Sequence, residues 1–512
     1  MNKMPQKPNI LQHKALSRIL IYGAGIAANQ VALALSKALE SNIELVLVTP
    51  EYPCLSDVLY GGITSPESYD MNLRLNLSEP ELFINTNTSF SFGSHYQNWG
   101  PRKQNWVQCY HLPFPSDSPV DFHQLITRHK AQLSDYLISA IAATEGKFAH
   151  PPAENPSSAL SRAEYGYHFD HHQLNNLLTT KLKSTKIKVV KGSVVKVELD
   201  EDSIDTLILE SGETITADLY LDCSGINSDL LKHLSQAKTT FREVNISYIE
   251  QKNDNVGKPC RTLSPLNDGW QAITSLRGKN SILTVTSKVI DSLTNDTCLF
   301  VSNENGIHSD KVALGHQRQA WVGNCISLGH AACTIEPLTP APMKLLGLDI
   351  LRLLELIPVD TNMKLERQEY NRRFINDVTH AELFNKTFYD FRTTITDNNE
   401  KKTENVNQSL TSFWQYGMER SQLLDRKIIQ FLHRGNLVSY DLEPFNQEDW
   451  AILHYGMGRS PERSDRLVEI IDYKKMQEKL DNMKAGILHL VSKMPPHSIY
   501  LSKFLQYLKD KY

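Results

Sequence analysis

Residues Ser17 to Leu39, SRILIYGAGIAANQVALALSKAL, decide the fold class. Ile19, Leu20, Ile21 and Tyr22 form a short apolar run that reads as a buried strand, and Gly23, Gly25 and Ala28 follow as a G-x-G-x-x-A turn. From Val31 to Leu39 the apolar spacing is that of an amphipathic helix. The order matters chemically: the first glycine permits the tight turn, the second lets backbone approach a pyrophosphate, and a small third residue packs helix on strand. Unpaired N–H groups at the helix start then face anions. Strand, glycine turn and helix together point to a nucleotide-binding α/β fold.

Working outward, Ile43 to Val48 is the expected second strand. An acidic residue at its end ordinarily holds a ribose. Here Thr49 ends the strand and Glu51 follows, so Glu51 is either the ribose ligand or a solvated loop residue. Leu59–Pro66, LYGGITSP, reads as a loop, and Tyr165–Leu178 as a strand edge turning into a helix. His168, His171, His172 and Asp170 lie in that second segment, but adjacent histidines lack the i, i+4 spacing that places two metal ligands on one helix face. Ile187 to Leu221 alternates and turns like a small antiparallel sheet. Its last strand delivers Asp222-Cys223-Ser224-Gly225, either an ordinary strand-end turn or the turn that, in flavoproteins with a split nucleotide domain, returns the chain to the cofactor. From Met343 the pattern is helical, with leucines at helical spacing up to Pro358 and further helices at the C-terminal end. Thr394–Ser409 is a polar break expected to be an exposed loop.

With 512 residues the chain exceeds one ordinary core. Two units are expected, residues 15–343 and residues 344–512. A formal charge of -4, from 54 basic and 58 acidic residues, provides no basic field for nucleic acid. Seven cysteines without a C-x-x-C pair read as scattered reduced thiols. No apolar leader and no run of membrane-spanning length is present, so a soluble, cytoplasmic protein is expected. No internal repeat is evident.

These landmarks, in this order, resemble the flavin-dependent tryptophan halogenase family over most of the chain. They are the glycine turn, Thr86–Gly93 closing on Asn98-Trp99, Tyr167–Asp170, Asp222–Gly225, Gly269-Trp270 and Asn324–Leu338, NCISLGHAACTIEPL. Asp390-Phe391, Phe413-Trp414, Trp450 and Gly456-Met457-Gly458 continue the likeness in the helical tail. The resemblance implies an α/β fold, an FAD-binding Rossmann-like box domain with an inserted antiparallel sheet and a helical pyramid above it. It implies FAD reduced by a separate reductase, a halide oxidised to hypohalous acid, and an indole halogenated beside a lysine and a glutamate. Cofactor contacts would come from Gly23, Gly25, Ala28, Glu51, Asp222, Gly225, Gly329 and His330, with His330 either a proton shuttle or a packing residue. Trp270, Phe413, Trp414 and Trp450 would line an aromatic substrate pocket or fasten the core. The aromatic and leucine stripes on the last helices read first as core packing, and otherwise as the lining of a substrate pocket or the seam of a homodimer.

The departures bear on the chemistry. Ser91 stands at the family lysine position, and no lysine occurs from Ala38 to Arg102. A hydroxyl carries neither an amine nor a cationic donor. Thr339 stands at the family glutamate position and has no carboxylate to take a proton. Ala341 and Pro342 replace the halide-holding Thr-Gly pair, and proline offers no N–H. The family's W-x-W-x-I-P block is reduced to Trp270-Gln271-Ala272-Ile273-Thr274, and its G-E-G-T strap to Gly61-Gly62-Ile63-Thr64. Three functions fit: a monooxygenase-type flavoenzyme acting on a free or peptide-borne aromatic, a non-catalytic partner or binding protein of the same fold, and a halogenase with its lysine relocated to Lys103 or Lys344.

Overall fold

The computed structural model describes residues 14–39, 43–51, 55–113, 120–152, 159–235, 238–287, 308–394, 411–418 and 421–512. Strand β1 (Arg18–Tyr22) lies at the heart of a six-stranded sheet and is buried from Ile19 onward. It pairs in parallel with β2 (Glu44–Thr49) on one side and with a later strand, Leu219–Asp222, on the other, so Ile21 faces Leu47 and Leu221 in register. Helix α1 (Ile26–Ala38) begins directly after the glycine turn. It is buried all round from Ile26 to Leu35 rather than along one stripe, because helices cover both of its sides. Its buried amide, Asn29, is satisfied by Asn175 at 2.6 Å and Thr179 at 3.1 Å.

The intervening chain supplies α2 (Ser68–Arg74), α3 (Glu79–Asn85), β3 (Ser89–Ser91), β4 (Ser94–Trp99), β5 (Gln104–Gln108), α4 (Phe122–His129), α5 (Ile138–Thr144), β6 (Gly166–His168) and α6 (His171–Leu182). Asp170 caps α6 through the Gln173 N–H and pairs with Lys279, so it serves the helix end. Among the described residues no group of three or more His, Cys, Asp or Glu is arranged to hold a metal ion.

The stretch Ile187–Leu221 does not form one antiparallel sheet. Strand β7 (Lys188–Lys191) joins the parallel sheet beside β2, whereas β8 (Val194–Asp200), β9 (Ser203–Leu209) and β10 (Thr214–Ile215) make the antiparallel unit. Strand β11 (Leu219–Asp222) returns to the centre of the parallel sheet. Burial explains the split. All four residues of β11 are buried, as a strand covered on both faces requires, while β9 alternates in its burial. Alternation reports a strand but not its sheet.

A second, eight-stranded sheet is built from β4 and β5 with β12 (Lys238–Lys252), β13 (Arg261–Leu266), β14 (Gly269–Ser275), β15 (Lys279–Thr286), β16 (His308–Gln317) and, after β17 (Trp321–Val322) and β18 (Cys325–Ser327) of the first sheet, β19 (Cys333–Thr334). The helical layer comprises α7 (Ala341–Glu355), α8 (Lys364–Thr387), α9 (Gln422–Arg434), α10 (Gln447–Gly456), α11 (Tyr473–Lys493) and α12 (His497–Lys511). One apolar core runs from Leu16 to Leu508 through both sheets and this layer; a smaller one, including Leu20, Val46, Ile204 and Leu207, lies on the other face of the parallel sheet. The polar break from Thr394 to Ser409 falls, after Thr394, outside the described residues. No described helix is long and apolar enough to cross a membrane. Among the described residues Cys109, Cys223, Cys260, Cys325 and Cys333 are buried and form no disulfide with one another; Cys54 and Cys298 lie outside the described residues.

Candidate cofactor cleft and adjoining cavities

The glycine turn, the Asp222–Gly225 turn and Gly329 are brought together at the C-terminal ends of β1, β11 and β18, where ligands of open α/β sheets bind. Gly23 is required by the protein itself: a Cβ there would stand 2.4 Å from the Cys223 carbonyl oxygen. Asp222 is fully buried and spends its carboxylate on its own loop, accepting from Ser224 Oγ at 2.6 Å and from the Leu230 and Leu231 N–H groups at 2.9 Å each. Burial raises its pKa against those bonds. The result is a fixed loop presenting Gly225 in the left-handed region, φ +88°. Gly329 is held by its N–H to Asp349 at 2.9 Å. His330 is buried, neither ring nitrogen makes a hydrogen bond of good geometry, and burial, against a contact with the Cys333 backbone, pushes its pKa down to about 3, leaving it neutral. Glu51 is exposed just beyond β2. Ala28 is buried in α1.

The frame therefore suits a dinucleotide, yet its anion position is taken. The Ile26 N–H, first of α1, donates to the Asp57 carboxylate at 3.0 and 3.3 Å. In this conformation the residues present do not fit a diphosphate there.

Beside this frame lie two cavities. One, of about 310 Å³, is bounded by Gln30, Thr64, Tyr167, Phe169, Met343 and Leu348 among others. The other is a narrow space of about 20 Å³, room for about one water. Thr339 lines it, as do Gly93 and Tyr110, and Ser91 adjoins it by bonding the Gly93 N–H at 3.2 Å. Thr339 is buried and committed: its hydroxyl donates to Asn385 Oδ1 at 2.8 Å and accepts from the Ala341 N–H at 3.3 Å. Pro340 caps α7, with Ala341 and Pro342 in its first turn.

The two cavities share Ser65, Glu67 and Lys344 as a wall. The Lys344 ammonium donates to Glu67 at 3.0 Å and to the Pro444 carbonyl at 2.9 Å, and lies 5.0 Å from the Phe445 ring centroid. Lys103, by contrast, sits exposed in the turn between β4 and β5, at φ +52°.

Two of the four aromatic candidates, Trp270 and Phe413, meet a charge pair buried in the core, and Trp414 packs beside Phe413. The Glu336 carboxylate accepts from Trp270 Nε1 and from the Tyr389 hydroxyl, both at 2.6 Å, and pairs with Arg242. The Arg242 guanidinium lies over the rings of Tyr389, Phe413 and Tyr416 at 4.8, 4.4 and 4.3 Å. Burial opposes the Arg242 charge, but Glu336 and Tyr389 hold its pKa above the usual guanidinium value. Trp414 packs edge-on against Trp99 and donates to the Leu266 carbonyl at 3.0 Å. Trp450 stands apart, edge-on to Phe384, under the Lys427 ammonium at 4.3 Å, with its indole N–H unpartnered. Arg242, Tyr389 and Asp57 carried no sequence signal. Glu336, a lone acid in an apolar run, did.

Against known proteins, the family model for tryptophan halogenase matches residues 18–473. A tryptophan 7-halogenase of Kutzneria sp. (strain 744) is 24% identical over 352 residues, spanning 62% of this chain and 66% of its own length. A tryptophan 6-halogenase of Streptomyces albogriseolus is 24% identical over 398 residues, spanning 70% and 73%. Among solved structures, the flavin-dependent halogenase BrvH from Brevundimonas sp. BAL3 superposes with a TM-score of 0.85 at 22% identity, covering 96% of this chain and 99% of that one. Xcc4156, a flavin-dependent halogenase from Xanthomonas campestris, follows at 0.84 and 20% identity, covering 96% and 98%. With its glycine frame, its two large sheets and a family match over nearly its whole length, this chain belongs to the tryptophan halogenase family.

Proposed function

We propose that this protein is a monooxygenase-type flavoenzyme of its family, acting on an aromatic, indole-like substrate that is free or peptide-borne. Flavin-dependent halogenases use FAD that a separate reductase supplies in reduced form. When bound, the reduced flavin supplies the electrons that activate oxygen. In this chain Gly23, Gly25, Asp222 and Gly225 frame the cofactor cleft. The observation that carries the reading is the pairing of this frame with a 310 Å³ cavity; the family resemblance, in addition, sets Ser91 and Thr339 against the lysine and glutamate of halogen transfer. Both hydroxyls are bonded within the protein. The test supplies a flavin reductase, NADH, FAD, oxygen and indole or tryptophan, with and without bromide, and analyses products by mass spectrometry. Oxygenated product without bromine is expected; a brominated product contradicts the reading.

A second reading has one observation behind it: Lys344 lies in the wall common to both cavities, where Lys103 does not. Under that reading bromination occurs and is lost in Lys344→Met but kept in Lys103→Met.

A further inference from the structure

The start of α1 is the anion position of the fold, and the protein fills it from within. Asp57 is 5% exposed and belongs to the six-residue 3-10 turn Leu55–Tyr60. Its carboxylate takes the Ile26 N–H. The same turn covers the second glycine landmark: the Tyr60 ring lies 4.1 Å from that of His330, and its hydroxyl stands 2.6 Å from where a Cβ on Gly329 would be. His330 is thereby enclosed, with neither ring nitrogen in a hydrogen bond of good geometry. The turn ends at Gly61 and Gly62, both left-handed at φ +72° and +64°. Gly61 is anchored, its carbonyl accepting from Arg261 Nη1 at 3.2 Å.

A carboxylate and a diphosphate are both anions and need the same N–H; at contact distance they repel. We propose that Asp57 is an internal competitor for the diphosphate of the dinucleotide, and that the Leu55–Tyr60 turn must leave the α1 N-terminus, hinging at Gly61–Gly62, before the cofactor enters. The proposal rests on the flavin reading above. It sets affinity and rate of binding, not chemistry. Departure of Tyr60 would also expose the His330 nitrogens to the incoming group.

The experiment is an FAD titration of the full chain by flavin fluorescence, comparing wild type with Asp57→Asn. The amide keeps the side chain's shape and a capping oxygen but loses the charge. Binding tightened tenfold or more is expected. Equal or weaker binding in a folded variant, judged by circular dichroism, overturns the proposal while leaving the flavin reading intact; absence of binding in both proteins overturns both. A stopped-flow measurement on wild type alone stands independently of the variant. The observed binding rate should level off as FAD is raised, since opening of the turn limits it, and a rate that rises linearly throughout contradicts the proposal.

Discussion

At the scale of single residues, Glu336 has the most at stake. Its carboxylate serves Trp270, Tyr389 and Arg242 at once, in a place where the Glu336 side chain is 3% exposed. Removing one member of a buried ion pair leaves the other charge without compensation, which costs about 3–5 kcal/mol. Glu336→Gln keeps an oxygen for the two neutral donors and strands only Arg242. It should therefore lower unfolding stability by about that amount in a denaturant titration, and Arg242→Met added to it should restore most of the loss. An unchanged midpoint in the single variant contradicts the account. The sequence made part of this legible. Glu336 and Trp270 stood in quoted landmarks, but Arg242 sits in a strand with no motif, and only the pairing of β12 with β16 and the arrival of Tyr389 from just past the end of α8 give it a role. Likewise Ser91 and Thr339 could be read as losses of function groups, but not as residues already committed to Gly93 and Asn385.

Among the elements, the β1 turn is fixed by backbone contact. Gly23→Ala would drive a Cβ to 2.4 Å from the Cys223 oxygen, so strand and loop must shift. A loss of about 1–3 kcal/mol is expected on thermal or denaturant unfolding, whether or not cofactor is added. A second element-scale prediction concerns His111, which joins the end of β5 to α10 by bonding Glu448 at 3.1 Å while pairing with Glu164 at 3.0 Å. Burial opposes its charge, but the hydrogen bonds to the two carboxylates hold its pKa up at about 9. The folded state thus binds this proton more tightly than the unfolded chain, whose histidine titrates near pH 6.5. The tether's contribution is complete below about pH 6.5 and is lost as pH rises through about 9. Wild-type melting temperature should fall over that interval more than that of His111→Gln; parallel curves contradict the assignment. Strand β1 and α1 were legible because a glycine turn between an apolar run and a helix is a local signal. The division of Ile187–Leu221 between two sheets was not, because strand pairing is settled by distant partners such as β2 and β18.

For the molecule as a whole, the likeness of scattered landmarks gave the family that the match over residues 18–473 shows. What no landmark revealed is the turn that packs over the cleft and the wall formed by Glu67 and Lys344 between two cavities, since both depend on segments far apart in sequence. The central claim is that the cleft serves a flavin. Its most direct test is an anaerobic titration of the purified chain with FAD in oxidised and reduced forms, followed by flavin absorbance and protein fluorescence, beside Gly25→Val, whose side chain would obstruct the approach to the diphosphate. Saturable binding by wild type, abolished in a folded Gly25→Val variant, is the predicted result. Failure of wild type to bind either form would contradict the flavoenzyme reading and leave a protein of the halogenase fold that binds or partners without turnover.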